Sequence, residues 1–317
     1  MADATPHDLA EFSRQRIEKG SKSFAAAAKL FAPETRASAY MLYAWCRHCD
    51  DVIDGQALGH KDETAAAPSG CDALAAVREL EEKTRRACAG DADEPVFQAL
   101  AVVAEKHSLP ETYPLDLIAG FQMDAEERKY STIEDTLEYC YHVAGVVGVM
   151  MAMIMGVKDR SVLNRACDLG LAFQLTNIAR DIIPDHAVGR IYLPETWIRE
   201  AGLTPNSLAE PVHRAAVAGI AGRLLDTAEP YYRSAHKGLA HLPFRSAWAI
   251  ATALKVYRAI GIEVRKRGAQ AWDTRTGTSS LTKLGGVASG LALTIGTRNQ
   301  RQTGADADRA ELWTMPG

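Results

Sequence analysis

Two pairs of aspartates share one spacing. Asp50 and Asp54 are four residues apart, and so are Asp181 and Asp185. On a helix that spacing puts both carboxylates of a pair on one face, about one turn apart, where like charges cost a bare helix about a few tenths of a kcal/mol. Gln174 and Asn177 lie seven and four residues before Asp181 and extend it into one polar stripe, flanked by Leu171, Phe173, Leu175, Ile178 and Ile182. A lone D-x-x-x-D is common on solvated helix faces. Two of them, one extended by amides within apolar flanks, suit a hard divalent cation. Magnesium fits best, because it takes oxygen ligands and shares them with water and substrate phosphates, with manganese as the substitute ion. The chemistry implied is departure of a diphosphate, since such an ion joins acidic protein to anionic substrate and neutralises the leaving group.

Helices must carry these stripes, and the surrounding pattern is helical. Apolar residues recur at three- and four-residue spacing, period-two alternation is nearly absent, and strands should be few. Asp72 is expected to cap a helix through Arg86 bearing Leu74, Val77 and Leu80, with Gly90 just past its end. Ser131 and Glu134 form an expected capping box ahead of Leu137, Tyr141 and Val147. The stretch Gly55 to Gly70 mixes glycine, alanine, proline and charge, and reads as a loop. Val143 to Val157 is an uncharged run of 15 residues. A spanning helix needs roughly 20, so the run reads as a buried core helix in which Gly145 and Gly148 permit close packing.

Pro184 removes a helical hydrogen bond and crowds the carbonyl of Arg180, so the second stripe's helix should kink or end near Asp185. From about Gln300 the chain is polar and rich in Gly and Asp, and is expected to be loosely held. The economical reading is all-α: one domain over residues 1–317, its core at about 14–296 and a polar tail at 297–317.

The 317 residues carry 36 Lys and Arg against 40 Asp and Glu, a net charge of −4. No Lys/Arg block supplies the basic face that a nucleic-acid partner needs. Hydrophobic residues at 47% and charged residues at 24% exclude wholesale disorder. Six cysteines, with no basic n-region or apolar h-region after Met1, argue against a secreted disulfide scaffold and for a cytoplasmic protein. Peripheral attachment to a membrane leaves little signature and stays open. Cys46 and Cys49 form a C-x-x-C without a βαβ context or a second ligand pair, and read as ordinary reduced thiols. Arg47 is spaced to pair with Asp51, and His48 reads as a surface residue or one behind the stripe.

Several longer stretches resemble the squalene/phytoene synthase family in order. They are GSKSFAAAAKLF (Gly20 to Phe31), LYAWCRHCDDVID (Leu42 to Asp54), YCYHVAGVVG (Tyr139 to Gly148), LAFQLTNIARDI (Leu171 to Ile182), GRIYLP (Gly189 to Pro194) and LPFRSAWAIATALKVYRAIG (Leu242 to Gly261). The resemblance covers roughly Gly20 to Trp272 and is strongest to the bacterial phytoene branch. It implies an isoprenoid-synthase-type helical bundle around a central cavity, with the two aspartate motifs facing each other across its mouth. It implies head-to-head joining of two geranylgeranyl diphosphates through a cyclopropyl diphosphate to phytoene, the first committed step of carotenoid synthesis. No nicotinamide cofactor is expected, and handover to a downstream carotenoid desaturase is.

By motif position the resemblance assigns Asp50, Asp54, Asp181 and Asp185 to magnesium, with Asn177 assisting. Arg47, Ser21, Lys22, Ser23, Arg190 and Arg275 become diphosphate contacts, and Tyr43, Gln174, Tyr139 and Tyr257 fall near the reacting carbons or the leaving group. Pro184 departs from the polar residue expected there. The chemistry agrees: ionisation needs cationic stabilisation of departing diphosphate, and the carbocation needs a dry cavity with π-faces. Val143, Ala144, Val147 and Met151 are the residues expected to line it, while ordinary core packing accounts for them equally well.

Three other readings compete. A head-to-tail elongating enzyme also carries DD-x-x-D, but usually twice, and Asn177-Ile178-Ala179-Arg180-Asp181 stands in the second place. A squalene- or dehydrosqualene-type synthase would act on farnesyl diphosphate, squalene formation needing a reductant. A non-catalytic helical assembly factor would not need the intact aspartates, Arg47 and Tyr139.

Overall fold

The fold is that of a computed structural model, which describes residues 5–20, 27–57, 60–61, 70–277, 280–298 and 309–316. Ser21, Lys22 and Ser23 lie outside the described residues. Helices follow one another as α1 (Pro6–Gly20), α2 (Pro33–Asp54), α3 (Cys71–Cys88), α4 (Pro95–His107), α5 (Thr112–Ala125) and α6 (Ile133–Cys140). After a π-helical turn at Tyr141–Gly145 come α7 (Val146–Ile154), α8 (Arg160–Ala187), α9 (Glu195–Glu200), α10 (Arg214–Gly238), α11 (Phe244–Arg267) and α12 (Ser280–Arg298). Among the described residues the strands are one antiparallel pair, Gln56–Ala57 against His60–Lys61, inside the stretch expected to be a loop.

The chain forms two compact units, one of Met1–Glu126 with Val149–Lys158, the other of Glu127–Gly148 with Asp159–Gly317. In the first, α2 packs on α1 and α4, and α3 packs on α4 and α5. Its core includes Ile17, Leu42, Trp45, Phe97, Leu100 and Leu117, all nearly without exposure. In the second, α8 is buried on most of its circumference and packs against α10, α11 and the π-helical turn, while α12 packs on α11.

Local signals decide several boundaries. Gly55 ends α2 in the left-handed region at φ 59°, its N–H donating to the carbonyl of Asp51. α3 buries Ala73, Val77, Leu80, Thr84 and Ala87 at helical spacing, and Gly90 follows its end at φ 82° as expected. Asp72 is not its N-cap: the helix starts at Cys71 after Gly70, so Asp72 is already in the first turn, where its charge favours the helix dipole. The capping box ahead of α6 falls one residue later than expected. Thr132 Oγ1 accepts from Asp135 N, and Asp135 Oδ2 accepts from Thr132 N and Ser131 N at 2.9 Å each, because the shorter Asp reaches back where Glu134 does not.

Pro184 does not end α8, which runs on to Ala187. Proline deletes only its own donor and its ring is exposed, while the carbonyl of Asp185 accepts from Val188 N and Arg190 N and closes the helix one turn later. The tail is not loose throughout either: Arg309 and Met315 are buried at 6% and 3% exposure. The glycines of the apolar run do serve packing. A Cβ on Gly148 would collide with the carbonyl oxygen of Ala166 in α8, and one on Gly145 would lie 2.7 Å from Leu171 Cδ1. Ile133–Ile154 is long and apolar enough to cross a membrane by length and composition, and Val146, Val149 and Met150 within it are fully buried.

Candidate active site

The first stripe lies on α2. Ala44, Trp45, Cys49 and Ile53 turn into the core, while Tyr43, Arg47, Asp50 and Asp54 are half-buried along the other face. Arg47 Nη1 donates to Asp50 Oδ2 at 2.5 Å, and the guanidinium sits 5.9 Å from the centre of the Tyr43 ring. Asp50 is thus a close partner, while the expected Asp51, on the buried edge of the helix at 6% exposure, also favours the Arg47 charge. Burial opposes the charge of Arg47, but Asp50, Tyr43 and Asp51 together outweigh it and hold the guanidinium above its ordinary range. Behind the stripe, burial pushes the Cys46 thiol up to about 12 and Cys49 well above its usual value, so both stay protonated thiols. His48 is half-buried edge-on to Phe97, ring centres 5.6 Å apart, and burial lowers its pKa.

The second stripe lies on α8. Gln174, Asn177, Asp181 and Asp185 are half-buried at helical spacing, whereas Leu171, Leu175, Ile178 and Ile182 are buried. Asn177 Nδ2 donates to Gln174 Oε1 at 3.3 Å, and Asn177 Oδ1 is a buried acceptor without a partner among the described residues. Arg180 curls onto its neighbour Asp181 in a two-pronged grip, Nε to Oδ1 at 2.9 Å and Nη2 to Oδ2. Burial works against the Arg180 charge, and Asp181, Tyr257 and Asp185 together outweigh it. Arg190 follows the helix, donating its N–H to the Asp185 carbonyl at 2.9 Å and sharing a small cleft with Asp185, Ile182, Tyr192 and Leu208.

Aromatic groups surround this stripe. Tyr257 of α11 stacks on Phe173, ring centres 4.0 Å apart and planes 18° from parallel. Tyr139 is buried, stacked on Tyr192 at 4.5 Å and edge-on to Tyr130 at 5.4 Å. Val143, Ala144, Val147 and Met151 are each half-buried, between the fully buried Val146 and Val149. Arg275 is exposed in the segment after α11.

The squalene/phytoene synthase family model matches residues 17–284. The chain belongs to the squalene/phytoene synthase family. Among its relatives, the 15-cis-phytoene synthase of Enterobacter agglomerans is 53% identical over 300 residues, covering 95% of this chain and all of that protein. The 15-cis-phytoene synthase of a Paracoccus species is 50% identical, covering 98% of both chains. Among solved structures, a dehydrosqualene synthase superposes with a TM-score of 0.81 at 27% identity, covering 92% of this chain and 98% of that one. The squalene synthase HpnC of Alicyclobacillus acidocaldarius gives 0.72 at 28%, covering 83% and 95%. The all-helical fold of this family is thus the fold found here.

For a family that uses prenyl diphosphates, the donor set on both stripes is of the right kind. Among the described residues no three His, Cys, Asp or Glu side chains converge as a preformed metal cage. Magnesium does not require one, because it keeps waters and takes one or two carboxylates together with substrate phosphates. The stripes offer hard oxygens only, and the partnerless Asn177 Oδ1 is an acceptor that an ion or its water would satisfy. The donors of each stripe, taken by itself, are thus of the kind magnesium takes.

Three members of the site escaped sequence reasoning. Arg180 stands inside the quoted motif, but adjacent helical residues point about 100° apart, and only its curled conformation brings it to Asp181. Phe173 flanks the stripe in sequence, and its stack with Tyr257 joins residues 84 positions apart. Tyr192, in GRIYLP, meets Tyr139 only because its segment docks on α6, where Thr136 Oγ1 donates to the Tyr192 carbonyl at 3.0 Å.

Proposed function

We propose that this chain condenses two geranylgeranyl diphosphates head to head into phytoene, releasing two diphosphates and two protons. The observation that carries the reading is the identity of 50–53% over nearly the full length with proteins named phytoene synthase. Asp50, Asp54, Asn177, Asp181 and Asp185 supply oxygen ligands on two helices. Magnesium, when bound, neutralises the leaving diphosphate.

The chain's own groups do the rest. Arg47 and Arg180 are each tied to one aspartate of a stripe. With magnesium bound they would exchange that partner for diphosphate oxygens, with Arg190 and Arg275 as further contacts, and Ser21, Lys22 and Ser23 assigned by motif alone. The first substrate ionises to an allylic cation, which alkylates the double bond of the second, and loss of a proton closes the cyclopropane. The cyclopropyl diphosphate ionises in turn, rearranges and loses a proton. The stacked pair Tyr257 and Phe173 presents π-faces to positive charge, with Tyr43 and the buried Tyr139 near the reacting carbons. Val143 and Val147 offer apolar surface that excludes water from the cation. No hydride enters this sequence, so no reductant is needed.

Phytoene carries no polar group, so it leaves into a membrane surface or a carotenoid desaturase rather than into water; the protein works in the cytoplasm at such a surface. A second reading, condensation of farnesyl diphosphate, draws on the TM-score of 0.81 to a dehydrosqualene synthase, but at 27% identity. Purified protein with magnesium and geranylgeranyl diphosphate, without reductant, is expected to yield a C40 hydrocarbon with the mass of phytoene. A C30 product from farnesyl diphosphate in preference, or longer linear diphosphates, would replace the reading.

A further inference from the structure

The segment Arg309–Pro316 lies beyond the residues the family model matches, yet it is built into the second unit. Its anchor is a buried ion pair. Arg309 Nε and Nη2 donate to Asp168 Oδ2 and Oδ1 at 2.7 and 2.8 Å, with side-chain exposures of 5% and 0%. Ser234 Oγ donates to the same carboxylate at 2.5 Å, and Arg165 Nη1 donates to Ser234 Oγ at 3.1 Å. Removing one partner of a pair this deeply buried leaves an uncompensated charge, which holds the strap to its anchor. Downstream, Trp313 N donates to the buried Tyr231 hydroxyl at 3.1 Å, Met315 is buried, and Arg160 Nη2 donates to the Pro316 carbonyl at 2.7 Å.

What this strap presses on is the π-helical turn. The Trp313 ring lies 5.3 Å from the ring of Tyr141, the first residue of that turn and one of the largest fully buried side chains. A π turn inserts one residue into a helix and rotates everything after it by about 100° relative to what precedes it. Here it contains the half-buried Val143 and separates Tyr139, in the aromatic cluster with Tyr192, from the half-buried Val147. Whatever fixes Tyr141 therefore fixes how the valines are aimed relative to Tyr139. We infer that Trp313, anchored through Arg309 and Asp168, is a positioning residue that holds the π turn at Tyr141 and thereby sets the prenyl-chain selectivity of the Val143–Val147 surface. This rests on the proposed function for the identity of the ligand, and on the coordinates alone for the strap.

Two measurements on the full chain separate those parts. Binding of geranylgeranyl and farnesyl thiodiphosphates, which do not ionise readily, is titrated calorimetrically with Trp313→Ala, Trp313→Phe and the native protein. Trp313→Ala is expected to change the ratio of the two dissociation constants about tenfold, the scale at which apolar pockets sense chain length, with Trp313→Phe within about twofold of native. Amide exchange is expected to quicken at Val143–Val146 in Trp313→Ala by at least about tenfold while the middle of α10 stays protected. If Trp313→Ala does not fold, Trp313→Leu carries the same expectations. An unchanged affinity ratio in a folded variant overturns the selectivity role, and unchanged exchange overturns the strap itself. Should native protein bind neither analogue, the proposed function and the selectivity role fall together, and exchange alone decides the strap.

Discussion

Asn177 donates from Nδ2 to Gln174 Oε1 at 3.3 Å, and its own Oδ1 is left buried without a partner among the described residues. A buried, unmatched acceptor costs folding about 1–3 kcal/mol, so this geometry trades stability for a ligand. Asn177→Leu is expected to raise the melting temperature in EDTA by about a few degrees while turnover with magnesium falls at least tenfold, roughly the cost of one electrostatic group. Thermal melts and product assays on the same preparation check both halves.

Asp50→Ala and Asp181→Ala each remove one proposed magnesium ligand and free the arginine that held it. Each is expected to lower kcat by about a hundredfold or more. Chelation by EDTA is expected to abolish turnover of the native enzyme, and excess magnesium to restore it. Turnover that survives either substitution removes the ligand assignment and leaves the fold untouched.

Tyr257 and Phe173 test the π-face argument. Tyr257→Phe keeps the stack, so a loss in this variant as large as in Tyr257→Ala would assign the work to the hydroxyl. Tyr257→Ala removes a pair worth about 0.5–1.5 kcal/mol beyond its burial and the π-face together. The expected order of kcat is native, then Tyr257→Phe close behind, then Tyr257→Ala lower by about tenfold or more.

Gly148 and Gly170 sit where the π-turn segment crosses α8. A Cβ at either would strike a carbonyl oxygen, of Ala166 and of Ala144 respectively, so backbone and not a flexible side chain must move. Gly148→Ala is expected to destabilise by about 1–3 kcal/mol, the usual cost of overpacking. Denaturant melts measure it. Gly219→Ala, where a Cβ meets nothing within 4 Å, serves as the control with no such loss.

Burial depresses the pKa of His48, His107 and His236 below the ordinary imidazole value of 6.5. Each is neutral in the folded chain at a pH where the unfolded chain already binds a proton. Their stability contribution is thus fully present above 6.5 and is lost as pH falls through the lower folded values. The melting temperature is expected to decline with acidification below that point. His107→Gln, which can keep a hydrogen bond to Ser38, is expected to flatten the decline.

The all-helical class, the burial of the Val143–Val157 run and the packing role of Gly145 and Gly148 were legible because periodicity and composition are local properties. Helix α3 was legible to within two residues at each end, while its cap was not, because Gly70 and not Asp72 precedes the first turn. The two aspartate stripes were legible as faces, since a helix converts spacing directly into direction. The strand pair at Gln56–Ala57 and the continuation of α8 past Pro184 were not, because each depends on hydrogen bonds that close only once the backbone is placed.

The sequence by itself determined which side chains share a helical face, and with it the family and the oxygen-rich character of both stripes. Only the tertiary structure decided which partner each charge takes. Arg47 grips Asp50 at 2.5 Å while the expected Asp51 turns toward the core, and Arg180 reached Asp181 by curling along its own helix. Tertiary structure also brought Arg309 back to Asp168 across 141 residues, from a tail whose composition reads as loose. A pairing of that separation leaves no periodic trace in sequence, because its energy comes from desolvated contact between elements and not from the propensity of either.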